Sequence, residues 1–368
     1  MILLFITSLV TFAIYSYALV DPNLTLFSND LWTNFRNQMV HFGYYDRLNS
    51  SILFVVLIII LFGCNYYLLN NHKKFSAIKF ALLAGILSII SYPFLSHDFF
   101  NYLFDAKILT FYHQNPYLHK ALDFPTDSWL RFMHWTIRTY PYGPTFLPIT
   151  VVPSFLAFGK FFLNVLFFKV MFAGFYFLSV YYLNKIDKKM ALFFATQPLI
   201  IIEGLINSHN DIIAVSFGII GIYYLLNKSL KKSSVALLIS SGIKYMTAPL
   251  LILFILNVYK RINQSQAALV SFSLTLGLII YLSITSEIQP WYFLNLFIFL
   301  PFFSSYLYKF SIFFTGLILS YYPFVRFGDW TKETIIMKHQ IILVFFILNI
   351  LYILALRTPG VKRIVKKT

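Results

Sequence analysis

Four short polar clusters interrupt an otherwise apolar chain, and their residue types define the chemistry open to it. The first is His97-Asp98-Phe99-Phe100-Asn101-Tyr102, continuing to Asp105-Ala106-Lys107. A carboxylate backed by aromatic surface and partly shielded from water can have its pKa raised and serve as a general base. The plain structural reading is a helix N-terminus at which Asp98 complements the dipole. Asn115-Pro116-Tyr117 and Tyr140-Pro141-Tyr142-Gly143-Pro144 follow. The second cluster, Asn207-Ser208-His209-Asn210-Asp211, comes after Glu203 in an apolar run. It reads as a polar turn capping the next helix or as a functional mouth. Intramembrane acids usually face a cavity or a partner, and His209 can hold a proton or a phosphate near neutral pH. The third, Ile243-Lys244-Tyr245, joins two apolar segments too short to cross a bilayer comfortably. Lys244 either snorkels to a headgroup or offers a cation to phosphate oxygens. The fourth, Gln289-Pro290-Trp291-Tyr292, carries interfacial aromatics that also suit stacking on sugar rings, with Gln289 able to read a hydroxyl. No cluster has clear metal-ligand spacing, so no cofactor is assigned; a divalent metal is possible but unsupported.

The elements that must position these groups are membrane helices. The 368 residues are 59% hydrophobic and 11% charged, with a mean hydropathy of +0.74. That is too few charges to keep a soluble surface wet. Backbone amides cannot stay unpaired in hydrocarbon, so the continuous apolar runs are helices rather than barrel strands. The net charge of +16 does not point to nucleic acid, because the basic residues sit in short clusters between apolar runs. The lone Cys64 leaves no disulfide framework.

Placing His72-Lys73-Lys74, Lys185–Lys189, Lys228–Lys232, Lys260-Arg261, Lys309 and Arg357–Lys367 on the cytoplasmic side gives a consistent topology. Spans are expected at 2–20, 51–70, 77–95, 161–184, 190–206 and 211–227, with short segments at 233–245 and 247–259. Further spans fall at 266–285, 290–304, 310–325 and 339–356. The expectation is an all-α polytopic bundle of about 12 spans, two of them short, forming one transmembrane domain over 1–368. Every acidic residue except Asp187 then falls on the outer side or at an outer span end. Longer outer loops account for this as well as an acidic outward-facing site does. The largest outer loop, about 96–160, is expected to hold an interfacial helix over His97–Tyr112 and a second over Pro144–Phe158.

The order of these motifs resembles the GT-C superfamily of polyprenyl-phosphate-sugar-dependent glycosyltransferases, most closely its bacterial mannosyltransferase-like branch. The resemblance covers roughly 75–300. It runs from the outer-face Asp98 and Tyr102 through Asn-Pro-Tyr, Tyr-Gly-Pro and Asn-Ser-His-Asn-Asp to Gly-Ile-Lys-Tyr-x-x-Ala-Pro and Gln-Pro-Trp-Tyr. It implies inverting transfer of mannose or another hexose from a polyprenyl-phosphate donor to a hydroxyl on a glycan, lipid or protein. The site would face the outer leaflet of a bacterial plasma membrane. Asp98 matches the base, and Lys244, His209 and Arg138 are the cations expected at the lipid phosphate. Tyr102, Asp105, Asn115, Tyr142, Asp211, Gln289, Trp291 and Tyr292 are expected at the sugars. The Asp-x-Asp of some relatives is missing at Asp98, and the spans at 2–20 and 51–70 precede the usual first one. A lipid-linked saccharide ligase or a transporter is the alternative. A transporter would favour inverted repeats, and no internal repeat is visible.

Overall fold

The computed structural model describes residues 1–259 and 262–356; Lys260-Arg261 and Arg357–Lys367, two of the orienting basic clusters, lie outside the described residues. Among the described residues the chain is 78% helix with no strands. The helices are α1 Ile2–Tyr15, α2 Asp30–Val40, α3 Arg47–Asn70, α4 Ala77–Ile89, α5 Asp98–Thr110, α6 Phe146–Leu156, α7 Phe161–Ile186 and α8 Lys188–Thr196. They continue as α9 Asp211–Leu226, α10 Leu230–Ile243, α11 Pro249–Val258, α12 Gln264–Thr285, α13 Leu300–Leu307, α14 Ser311–Leu319, α15 Tyr322–Phe327 and α16 Lys332–Ala355.

Six stretches of the described residues are long and apolar enough to cross a membrane, and seven if α8 and the turn after it count as one. The sequence pattern overruns the helices where proline intervenes. α4 stops at Ile89, not at 95, because Tyr92 precedes Pro93 and is held out of the α region. The run 190–206 bends by 65°. Gln197, before Pro198, is extended at ψ 117, and Ile200–Ile206 rewinds as a wide turn closed by i→i+5 bonds. Residues 290–304 and 310–325 belong to one broken stretch, Pro290–Phe327. It opens as a 3₁₀ helix over Pro290–Phe299 and kinks at Phe303. Helix α2 has no counterpart in the sequence reading. Its start is fixed by Asn29, which accepts from the Trp32 amide at 2.8 Å, and Trp32 is its one buried residue.

In α7 both faces are apolar, so polar residues decide which one faces inward. Asn164, Lys169 and Ser179 lie on the buried face with Phe168, Phe172, Tyr176 and Leu183, while Val170, Leu178 and Tyr181 point outward. Helix α5 differs from the interfacial helix expected there. Every residue from Phe99 to Ile108 is buried, because the segment carrying Trp129 and Phe132 folds over the face that would have met water or lipid. Lys107 pins that cover. Its ammonium pairs with Asp127 and sits 3.8 Å from the Trp129 ring centroid. Asp127 also accepts from Tyr112 Oη at 2.7 Å and from the Trp129 amide at 2.9 Å. Helix α6 keeps Val152, Phe155 and Leu156 exposed, as an interfacial helix does.

Candidate functional site

The polar turn Asn207–Asp211 is the centre of the site, and all five residues are buried. Burying so many polar groups is tolerable only if each finds partners. Asn207 accepts from the Leu95 amide at 3.2 Å and donates to Glu203 at 3.1 Å. Ser208 adopts a left-handed φ of 57°, unusual outside glycine, and donates to the Leu205 carbonyl at 2.7 Å. The carbonyls of Leu205 and Ile206 accept from Lys169 Nζ at 3.1 and 2.5 Å. The buried lysine of α7 therefore holds the turn from below. Asn210 makes no side-chain cap to α9, so the capping reading does not describe it; its side chain accepts from Lys244 at 3.3 Å.

Two carboxylates flank the turn in contrasting states. Asp211 is fully buried, with its two oxygens held by Lys244 Nζ at 2.7 Å and Asn295 Nδ2 at 2.9 Å. Asp98, the first residue of α5, keeps a quarter of its side chain exposed. Its oxygens lie 3.6 Å from Arg138 Nη2 and 3.9 Å from His209 Nδ1. Those separations place a guanidinium and an imidazole beside the carboxylate without hydrogen-bonding it directly. On its far side His209 meets Glu203 at 3.3 Å. The Tyr321 hydroxyl also faces Glu203.

Other candidates close the walls. Trp291 stacks on the His209 ring, with centroids 4.1 Å apart and planes 18° apart. Tyr102 Oη accepts from the Asn210 amide at 3.4 Å, and its ring meets that of Tyr142 at 4.8 Å. Tyr142 Oη accepts from Arg138 at 2.9 Å. Tyr292 lies within electrostatic reach of Asp211, Asp98 and Glu287. Gln289 accepts from Lys338 at 3.3 Å. Asp105 is buried on α5, and its carboxyl is pushed up to about 8 by burial, with Arg138 opposing and Asp98 adding to the rise. Asn115 stands apart. It accepts from the Tyr117 amide at 3.0 Å, and its carbonyl accepts from the amides of Leu118 and His119, all within its own turn.

Two motif glycines bring the halves together. A Cβ on Gly143 would run into the Gly242 carbonyl, and one on Gly242 would meet the Thr145 side chain. Thr145 closes the contact, donating from its amide to Gly242 at 3.1 Å and from its hydroxyl to Ile239 at 2.9 Å. Tyr142 and Lys244 are neighbours for this reason. The sequence reading missed Asn295, Tyr321 and Lys338. Asn295 is the polar residue inside an apolar run and was detectable as such; Lys338, at a span boundary, looks like an ordinary snorkelling lysine. Among the described residues no three His, Cys, Asp or Glu side chains converge to hold a metal.

Apolar helices long enough to cross a membrane, around a buried cluster of polar groups, are what a multi-pass membrane enzyme presents. Residues 28–260, well over half of the chain, match the family model described as alpha-(1→6)-mannopyranosyltransferase, N-terminal domain. The chain belongs to that GT-C-type family and is a membrane-embedded glycosyltransferase. Among curated proteins and among solved structures nothing matches it.

Proposed function

We propose that the enzyme transfers a mannosyl unit from a polyprenyl-phosphate donor to an acceptor hydroxyl at the outer face of a bacterial plasma membrane, with inversion and with Asp98 as general base. The observation that carries this reading is the state of Asp98. It is accessible, flanked by Arg138 and His209, and among the described residues neither of its oxygens accepts a direct hydrogen bond. The acceptor hydroxyl gives its proton to Asp98 as its oxygen bonds to the anomeric carbon. The bond from that carbon to the donor phosphate breaks, its electron pair stays on the phosphate oxygen, and polyprenyl phosphate leaves. Such chemistry calls for a carboxylate at the acceptor and positive charge at the departing phosphate; Asp98 supplies the first.

Trp291, stacked on His209, offers an aromatic face to a sugar, and Tyr102, Tyr142, Gln289 and Tyr292 surround it with hydroxyl and amide groups. Lys244 is committed to Asp211, so in this reading the pair shapes the wall and adds local positive field, while Arg138 and His209 face the reacting centre. An apolar groove of about 970 Å³ beside the site suits an isoprenoid tail.

The test is Asp98→Asn in proteoliposomes supplied with polyprenyl-phosphate mannose and a mannoside acceptor. Loss of one general base is expected to lower transfer ~10²–10⁴-fold in a protein that still folds. Undiminished transfer refutes the assignment.

A further inference from the structure

The last third of the chain lies beyond the residues matched by the family model, and it builds the groove. Helix α12, the Pro290–Phe327 stretch and α16 enclose it, with Phe272, Phe303, Phe310 and Phe346 among its walls. The lining follows α12 from Leu269 to Ser283, most of the helix, and ends near the catalytic cluster on Ile288 and His339.

Behind that lip stands Lys338, its side chain 3% exposed. Its ammonium lies 3.3 Å from Glu287 Oε1, 3.3 Å from Gln289 Oε1 and 5.2 Å from the Trp330 ring centroid. His339 Nε2 meets the same Glu287 oxygen at 2.7 Å. Two adjacent nitrogen bases thus converge on one carboxylate oxygen at the mouth of an apolar groove. Burial pushes the Glu287 carboxyl up, but the contacts from His339 and Lys338 outweigh it and leave the group below the usual carboxylate range.

A buried ammonium needs a counter-ion. The pair formed by Lys244 and the one formed by Lys338 meet that need differently. Asp211 is wholly buried and held by Asn295 as well, so it cannot leave Lys244. Glu287 is 30% exposed and sits on the short connection between α12 and Pro290, free of any helix. A phosphate presents more acceptor oxygens than one carboxylate and suits two convergent donors better.

We propose that Lys338 and His339 form the site for the phosphate of an isoprenoid phosphate whose tail fills the groove. Glu287 is the displaceable carboxylate that occupies both side chains until the phosphate takes its place. This assignment rests on the lipid-phosphate donor reading above and adds a gate to it. The phosphate enters by breaking the Glu287 clasp, and the returning carboxylate helps to expel the spent carrier.

The test uses the full chain in nanodiscs, with undecaprenyl phosphate as probe and undecaprenol as its uncharged control, bound fractions being read by native mass spectrometry. The parent should prefer the phosphate. Glu287→Gln removes the competitor and should tighten phosphate binding ~10-fold, while Lys338→Met and His339→Ala should weaken it ~10-fold or more; undecaprenol binding should not move. His339 is half exposed, so its variant decides the matter even where Lys338→Met fails to fold. A parent without preference for the phosphate overturns the donor reading itself. A parent that prefers the phosphate, with Glu287→Gln unchanged or weakened, overturns the gate.

Discussion

Replacing Asp105 by Asn should stabilise the protein, and increasingly so as the pH rises. The carboxyl is buried on α5 with 6% of its surface exposed, and its pKa moves from 3.8 to about 8. Between those values the unfolded chain has lost this proton while the folded chain keeps it. The unfolded state binds fewer protons there, so this group makes stability fall as pH rises through the window. Each pH unit corresponds to ~1.4 kcal/mol, and about four units set a ceiling near ~5 kcal/mol by the same conversion. Water penetration and adjustment of Arg138 toward the charge reduce this to ~2–3 kcal/mol. Asn has the same shape, stays neutral at every pH and removes the slope. Scanning fluorimetry in nanodiscs at constant ionic strength checks this. Parent and variant should melt together near pH 4.5, and the variant should lead by ~5 °C or more at pH 8. Parallel curves, or a variant that melts lower at pH 8, would refute the argument that burial holds this proton in place.

Two further substitutions probe the scaffold. Lys169→Met leaves the buried Ile206 carbonyl without its lysine donor and the Leu205 carbonyl with Ser208 alone, at ~1–3 kcal/mol in all; a lower melting temperature together with a fall in kcat is expected, and an unchanged melting curve would separate the lysine from the turn. Gly143→Ala drives a methyl into the Gly242 carbonyl, so transfer should fall at least tenfold as Tyr142 and Lys244 move apart; full activity in a mannosyl-transfer assay would show that the backbone contact is dispensable.

What the sequence made legible follows from the solvent. In an apolar chain a polar residue stands out, so Asp98 at a helix start, the 207–211 turn, Glu203, Lys169 and Lys244 were visible one by one. Their partners were not. Nothing in Tyr-Gly-Pro or Gly-Ile-Lys-Tyr says that the two glycines touch, because close backbone approach leaves no local pattern. The burial of α5 on all sides was hidden for a related reason: its cover, around Trp129 and Phe132, has no periodicity to read. Apolar runs also conceal breaks. Residues 190–206 look continuous, and only the geometry around Pro198 reveals the 65° bend. Asn115 sits in a turn of its own, and an Asn-Pro pair in a loop signals a turn as readily as a site.

Four carboxyls lie close together here, and their surroundings make each one different. Asp211 is fully buried, with one oxygen held by Lys244 and the other by Asn295, out of reach of an acceptor hydroxyl. Glu203 lies wholly buried beneath His209 and beside Tyr321, where an acceptor hydroxyl cannot reach it. Asp105 is held in its acid form near neutral pH by burial. Were it ionised, a second negative charge would share Arg138 with Asp98 and draw the guanidinium away from it. Kept neutral, it leaves Arg138 to Asp98 alone. Asp98 is the member of the set that keeps part of its side chain exposed, with Arg138 and His209 beside it and, among the described residues, no direct hydrogen bond to its carboxylate. In the proposed mechanism, selecting one base among four therefore requires only that the fold bury or neutralise the other three, a task that falls to α5, the 207–211 turn and the Gly143–Gly242 contact together.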